Sequence, residues 1–228
     1  SVVILAAVLI FIKIKFRGKT IKLKSDTKLH TAVISVPHPS ECFRLVKEKH
    51  LGSVIISSII LAAFYIVTVL NDTAGGFAFT VFDFEKYNAF YVLLSTVGLV
   101  ILWTATNWLV CTLLGGIGKL SEIYTVTCYS LIPLLFGRTV RLLLTHILTP
   151  DEGAFLNVFT AACIIYTAFM LIIGMMRIHD YEFGKFVGTA VLTVLAMIIV
   201  VFLIFLIFML VQQVITWFGT VFVEIRYR

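Results

Sequence analysis

The chain has 228 residues, 61% of them hydrophobic and 13% charged, and a mean hydropathy of +1.08. Soluble domains carry about 25% charged residues, so this composition excludes an ordinary soluble domain and points to an integral membrane protein. The four cysteines, Cys42, Cys111, Cys128 and Cys163, form neither a CxxC pair nor a Cys/His spacing, so neither a metal site nor a disulfide framework is expected from them.

Residues 1–12 are apolar but fall short of the roughly 17 needed to cross a bilayer. They read as the C-terminal part of an extra transmembrane helix, with an extracytoplasmic part expected before it. Residues 13–36 follow as a basic linker, carrying Lys13, Lys15, Arg17, Lys19, Lys22, Lys24 and Lys28. By the excess of Lys and Arg this segment is expected in the cytoplasm, against anionic lipid rather than nucleic acid. Its alternation of basic and apolar residues suits a short strand or a membrane-surface peptide. Residues 40–53, SECFRLVKEKHLGS, read as an amphipathic helix with Ser40 as N-cap and Phe43, Val46 and Leu51 at helical spacing.

Five runs are long enough to span: 53–70, 89–114, 123–148, 155–176 and 187–211. Together with the first partial helix they put both termini outside, and the acidic loop at 71–88 suits that side. Gln212 and Gln213 are expected to mark the exit of the last span, and residues 214–228 to lie along the interface as an amphipathic segment. The fold expected is all-α, a five-helix transmembrane bundle over 37–213 preceded by the partial helix, in the plasma membrane with 13–52 cytoplasmic.

The stretch GGIGKLSEIYTVTCYSLIP, 115–133, resembles a phosphate loop only superficially. Such a loop needs Gly five residues before Gly118, where Leu113 stands, and a hydroxyl directly after Lys119, where Leu120 stands. Gly115, Gly116 and Gly118 are better read as a turn that exploits positive φ, with Ser121 capping the next helix and Pro133 kinking it.

Chemistry within the spans is sparse. Arg138 and Arg141 lie three apart on one helix face, and a charge in a span is a functional candidate by default. Snorkelling is one reading, and contact with a lipid headgroup or substrate, with Asp151 and Glu152 nearby, is the other. Asn107 suits an interhelical hydrogen bond. His179, Asp180 and Glu182 read as solvated residues at a helix end, and His30, His38, His50 and His146 are scattered. The spans as drawn contain no Asp or Glu, so no catalytic group, cofactor site or metal site is expected, and no enzyme activity.

Asn107-Trp108, then GGIGK, then Tyr129-Ser130-Leu131-Ile132-Pro133, resemble the Yip domain family of membrane proteins, named for interacting with Ypt/Rab GTPases, and its bacterial branch in particular. Pro39 and Phe43 in the entry segment and His179 before the last span add to the likeness. The resemblance implies a five-helix membrane domain whose entry segment is cytoplasmic, and a non-catalytic adaptor or assembly protein that holds other membrane proteins, a transporter complex or further copies of itself. A transporter subunit or lipid-handling protein is the alternative. The Asp-Leu-Tyr-Gly-Pro signature of the eukaryotic members is not in the sequence, which puts GTPase binding in doubt.

A peptide covering residues 13–28 is expected to bind vesicles containing phosphatidylserine with about 1 kcal/mol per basic residue near the surface, and to be released as salt rises. Co-sedimentation at increasing ionic strength checks this, and salt-insensitive binding contradicts it.

Overall fold

The computed structural model describes residues 28–76, 79, 87–149 and 152–227, without the side chains of residues 28–30. The extra helix at 1–12 and the basic residues Lys13, Lys15, Arg17, Lys19, Lys22 and Lys24 lie outside the described residues, and Lys28 opens the first helix. Asp151 also falls outside them.

Among the described residues seven helices follow in order: α1 (Lys28–Ile34), α2 (Pro39–Lys49), α3 (Val54–Thr73), α4 (Ala89–Leu113), α5 (Leu120–Leu144), α6 (Gly153–His179) and α7 (Phe183–Arg226). The described residues contain no strand, and α3 to α7 are each long and apolar enough to cross a membrane. The strand or surface peptide expected over residues 13–29 lies outside the described residues except for its last two, which open α1.

The first half of α5 is the centre of the bundle. It packs on α2, α3, α4 and α6, and from Thr125 to Ser130 every residue is buried. Its hydroxyls are satisfied within the helix: Thr125, Thr127 and Ser130 each donate at 2.8 Å to the carbonyl four residues back. Such back-bonding lets polar residues face a dry interior. At Leu131 the helix breaks, and Pro133 begins the second half with no N–H to offer the Tyr129 carbonyl. A second irregularity is a π-turn at Leu94–Gly98 in α4. Asn88 caps α4, its Oδ1 accepting from the Phe90 and Tyr91 amides at 2.9 and 3.2 Å.

α2 packs into the end of the bundle formed by α5 and α6. Phe43, Val46 and Cys42 are buried against Ile123, Val126, Tyr129, Met170, Met175 and Ile178. Full burial of Phe43 contributes about 1.5–3 kcal/mol. The Cys42 thiol donates to the Thr31 carbonyl at 3.0 Å, and burial pushes its pKa up to about 12. Tyr166 of α6 holds the approach to α2 by donating to the Val36 carbonyl.

Four details differ from the sequence expectation. Pro39, not Ser40, begins α2, because a first-turn proline has no helical hydrogen bond to lose. Leu51 lies beyond the helix, which ends at His50 with φ 50°, and Cys42 takes the third buried place. The helices outrun the apolar runs, so Asp72 falls in the last turn of α3, Glu122 in the first turn of α5 and Glu224 near the end of α7. Finally, α7 does not stop at Gln212 and Gln213 but continues unbroken to Arg226, 44 residues in all. Glutamine is a good helix former and no proline interrupts the run, so nothing local ends it.

Gly174 sets the distance between α6 and its neighbours. A Cβ there would collide with Val126 Cγ1 and press within 3.2 Å of the Phe43 ring. Gly174→Ala is expected to cost about 1–3 kcal/mol through overpacking, read as a lower melting temperature in detergent, whereas Gly188→Ala, where an added Cβ meets nothing, leaves melting unchanged or slightly raised.

Candidate functional site: a polar latch at the basic end

Three turns meet at one end of the bundle: His50 to Ser53, Leu114 to Lys119, and Asp180 to Glu182. The segments gathered there carry Arg44, Lys47, Lys49, Lys119, Arg177 and Lys185, so this is the basic end. Each turn contains one residue with positive φ, His50 at 50°, Gly115 at 75° and Asp180 at 56°. Two turns close alike. The Gly116 amide donates to the Cys111 carbonyl at 2.6 Å, and the Tyr181 amide to the Met176 carbonyl at 3.0 Å. These are the six-to-one bonds of a Schellman motif, with Gly115 and Asp180 in the left-handed position.

Between those turns Asn107 of α4 is 3% exposed and His179 of α6 is 3% exposed. Asn107 Nδ2 donates to Thr193 Oγ1 of α7 at 3.4 Å, and Asn107 Oδ1 faces His179 Nε2 at 3.2 Å. Thr193 Oγ1 donates in turn to the Thr189 carbonyl at 2.8 Å. An amide oxygen only accepts, so this arrangement puts the histidine proton on Nε2. One amide thus joins three helices. Cys111, one turn on, has its Sγ 3.8 Å from the same Oδ1.

Tyr181 closes the cluster. Its ring stacks on His179 with centroids 5.3 Å apart, its hydroxyl donates to the Cys111 carbonyl at 3.4 Å, and Lys185 Nζ sits 4.5 Å above the ring. Burial, reinforced by Cys111, pushes the Tyr181 pKa up to about 12, so the hydroxyl keeps its proton and remains a donor.

The glycines of the turn do different jobs. Gly115 alone needs its backbone freedom. At Gly116 an added Cβ would stand 2.6 Å from the Tyr181 hydroxyl and 2.7 Å from His179 Nδ1, and at Gly118 it would stand 2.6 Å from Ile178 and 2.8 Å from His179 Cε1. These two are glycine because the ring of His179 lies against them. His179 Nδ1 is buried there with no hydrogen-bond partner among the described residues. The expectation that His179 is solvated is thus corrected, since it is packed on every side. Ser121 is not the cap of α5 either. Glu122 does that work, its Oε2 accepting from the Lys119 amide at 3.1 Å, with His50 Nδ1 3.5 Å from its other oxygen.

Of the residues the sequence singled out, Asn107, Gly115, Gly116, Gly118 and His179 converge here. Phe43 and Tyr129 form the adjoining core, Pro39 opens α2, and Pro133 lies buried at the α5 break. Trp108 points away and is 37% exposed. Thr193, Tyr181 and Lys185 were not singled out; the groups that Thr193 and the Tyr181 hydroxyl bond lie on α4, far away in the sequence, and Lys185 joins the cluster only through Tyr181.

Arg138 and Arg141 stand at the opposite end and do not act together. Arg138 turns to α3, where Nη1 donates to Thr68 Oγ1 at 2.7 Å and the guanidinium lies 5.1 Å from the Phe64 ring centroid. Asn71 Nδ2 donates to the Arg138 carbonyl at 3.1 Å. Among the described residues Asp72 is the carboxylate that attracts Arg138. Arg141 turns to α6 and donates to Asn157 Oδ1 at 3.2 Å. Glu152 is used locally, accepting from the Thr149 amide at 3.1 Å.

The family model for the Yip1 domain matches residues 33–206. No curated protein and no solved structure matches the chain.

Replacing Asn107 or His179 by Ala is expected to lower the melting temperature, and the double variant to show a coupling of about 0.6–2 kcal/mol for the interhelical hydrogen bond. Thermal melts of the four proteins in one detergent measure it; strictly additive losses contradict the latch.

Proposed function

The chain belongs to the Yip1 domain family of membrane proteins, and on that premise we propose that it is a non-catalytic membrane adaptor that holds other membrane proteins against its last helix. The observation that carries this reading is α7. At 44 residues it is about 66 Å long at 1.5 Å per residue, against a hydrocarbon core about 30 Å thick. Its buried residues are Thr189 and Thr193, and from Val201 to Thr220 every residue is exposed.

That free length is largely apolar, with Phe202, Phe205, Phe208, Trp217 and Phe218 all more than half exposed, and its polar residues are Gln212, Gln213, Thr216 and Thr220. Lipid tails cover the part inside the bilayer. The remainder would face headgroups and water, where the exposed side chains of Trp217, Phe218 and Phe222 mark a place for another protein. The family match ends at residue 206, so the outer half of α7 lies beyond the shared domain and supplies a surface of the chain's own.

The basic end fits the cytoplasmic side by its Lys and Arg content, with anionic lipid as its neighbour. The polar latch then serves to hold α2 and the Gly115–Lys119 turn in one arrangement as a platform. At the opposite end Arg141, bonded to the exposed Asn157, is the contact for lipid headgroups, and Arg138, engaged by Thr68 and Asp72, ties α5 to α3. The membrane in this reading is the plasma membrane.

A photo-crosslinking residue placed at Leu206 or Phe218 of the full chain in native membranes is expected to give discrete protein adducts, whereas Ile165 on the outer face of α6 gives lipid adducts. A reproducibly partnerless monomer that moves a solute by itself in proteoliposomes overturns the reading.

A further inference from the structure

A cavity of about 600 Å³ is walled by α4, α5, α6 and α7 and opens on the side of the bundle, where Leu99, Val194, Ile198 and Val201 are about half exposed. That volume falls within the roughly 300–1,000 Å³ of small-molecule sites. Its wall includes Trp103, Leu131, Thr167, Leu171, Met197 and Val201. Trp103, Leu131 and Thr167 each lie within about 3 Å, at 1.5 Å per residue, of the midpoints of α4, α5 and α6. The cavity is therefore at the middle of the bilayer.

Two features set it apart from a packing gap. Both irregularities of the bundle border it, since Leu99 on its wall directly follows the π-turn of α4 and Leu131 is the break in α5. Helix breaks at mid-depth are where membrane proteins build ligand sites. In addition, Trp103 Nε1 and Thr167 Oγ1 are buried without a hydrogen-bond partner among the described residues. Indole N–H can only donate, and a threonine hydroxyl in a helix ordinarily donates to its own backbone, as Thr104, Thr106 and Thr193 do here. Leaving two donors idle in hydrocarbon is costly.

The occupant follows from these constraints. No Asp, Glu, Lys, Arg or His is on the wall, so the ligand is uncharged. It is largely apolar, to match the aliphatic wall, and it brings an acceptor oxygen to mid-depth. A phospholipid fails the last requirement, because its ester groups and headgroup stay near the surface of a core about 30 Å thick, roughly 15 Å away. We propose that this cavity binds an uncharged lipid bearing a carbonyl oxygen that can lie at mid-depth, of the quinone kind, with Trp103 Nε1 and Thr167 Oγ1 as its hydrogen-bond donors. The site stands apart from the adaptor reading, which rests on the outer half of α7.

The test uses the full chain in detergent micelles or nanodiscs, with Trp108→Phe and Trp217→Phe leaving Trp103 as its fluorophore. Decylubiquinone is the probe. Saturable quenching of Trp103 is the expected result. Thr167→Val, which keeps the shape and removes the hydroxyl, is expected to weaken binding about tenfold, the effect of one lost hydrogen bond. Leu171→Phe, which narrows the cavity without adding a second tryptophan, is expected to weaken binding as well, with thermal melts reporting whether each variant is folded. Quenching that rises linearly without saturation, or equal affinity in wild type and folded Thr167→Val, overturns the proposal. So does quenching by phosphatidylcholine brominated on its acyl chains that decylubiquinone fails to displace, since a phospholipid tail then occupies the cavity.

Discussion

In a hydrocarbon medium an amide side chain must find its partners within the protein. Asn107 does so with one group on each of two other helices, His179 on α6 and Thr193 on α7. The rest of the basic end follows from that demand. His179 must lie flat between α4 and α6, so the turn that passes over it must lack side chains at Gly116 and Gly118, and Tyr181 must close the remaining side. Apolar contacts alone would leave α7 free to rotate about its own axis, because its lipid-facing surface is nearly uniform. The amide fixes the rotation.

The connections at this end show a second economy. Three helices stop there and three start there, and each stop is made by a single left-handed residue. Glycine takes that conformation freely, while His50 and Asp180 do so at some cost. Short turns keep the polar backbone from trailing into the membrane surface. They also bring α2 close enough to bury Phe43 against the glycine of α6. The opposite end is organised by a charge instead, with Arg138 held between a threonine hydroxyl, an aromatic face and Asp72. Polar groups thus tie the bundle at both ends, and packing fills the interval.

Much of this was legible in the sequence, because five apolar runs, a glycine turn and a proline are local signals. The five spans, the turn at 115–118 and the break before Pro133 all required only composition and residue type. What the sequence concealed was long-range. Gly116 and Gly118 read as residues chosen for backbone freedom, yet only Gly115 uses positive φ, and the other two answer to a ring some sixty residues away. His179 read as solvated because its neighbours Asp180 and Glu182 are charged, while its own side chain turns inward. The end of α7 was misplaced because two glutamines resemble a membrane exit, although they are sound helix residues. Pairings such as Arg138 with Thr68 leave no trace in local spacing at all.

The continuity of α7 has a mechanical consequence. A helix without a proline or a flexible joint behaves as a rigid rod, clamped by Asn107 near its base and unsupported beyond Val201. From Thr193 to Arg226 the arm is about 50 Å at 1.5 Å per residue, so a tilt of about 5° at the clamp swings its tip by about 4 Å. A disturbance of a single hydrogen bond at one surface of the membrane is thereby magnified at the other. The bundle and its last helix together form a pointer, and the amide is its pivot.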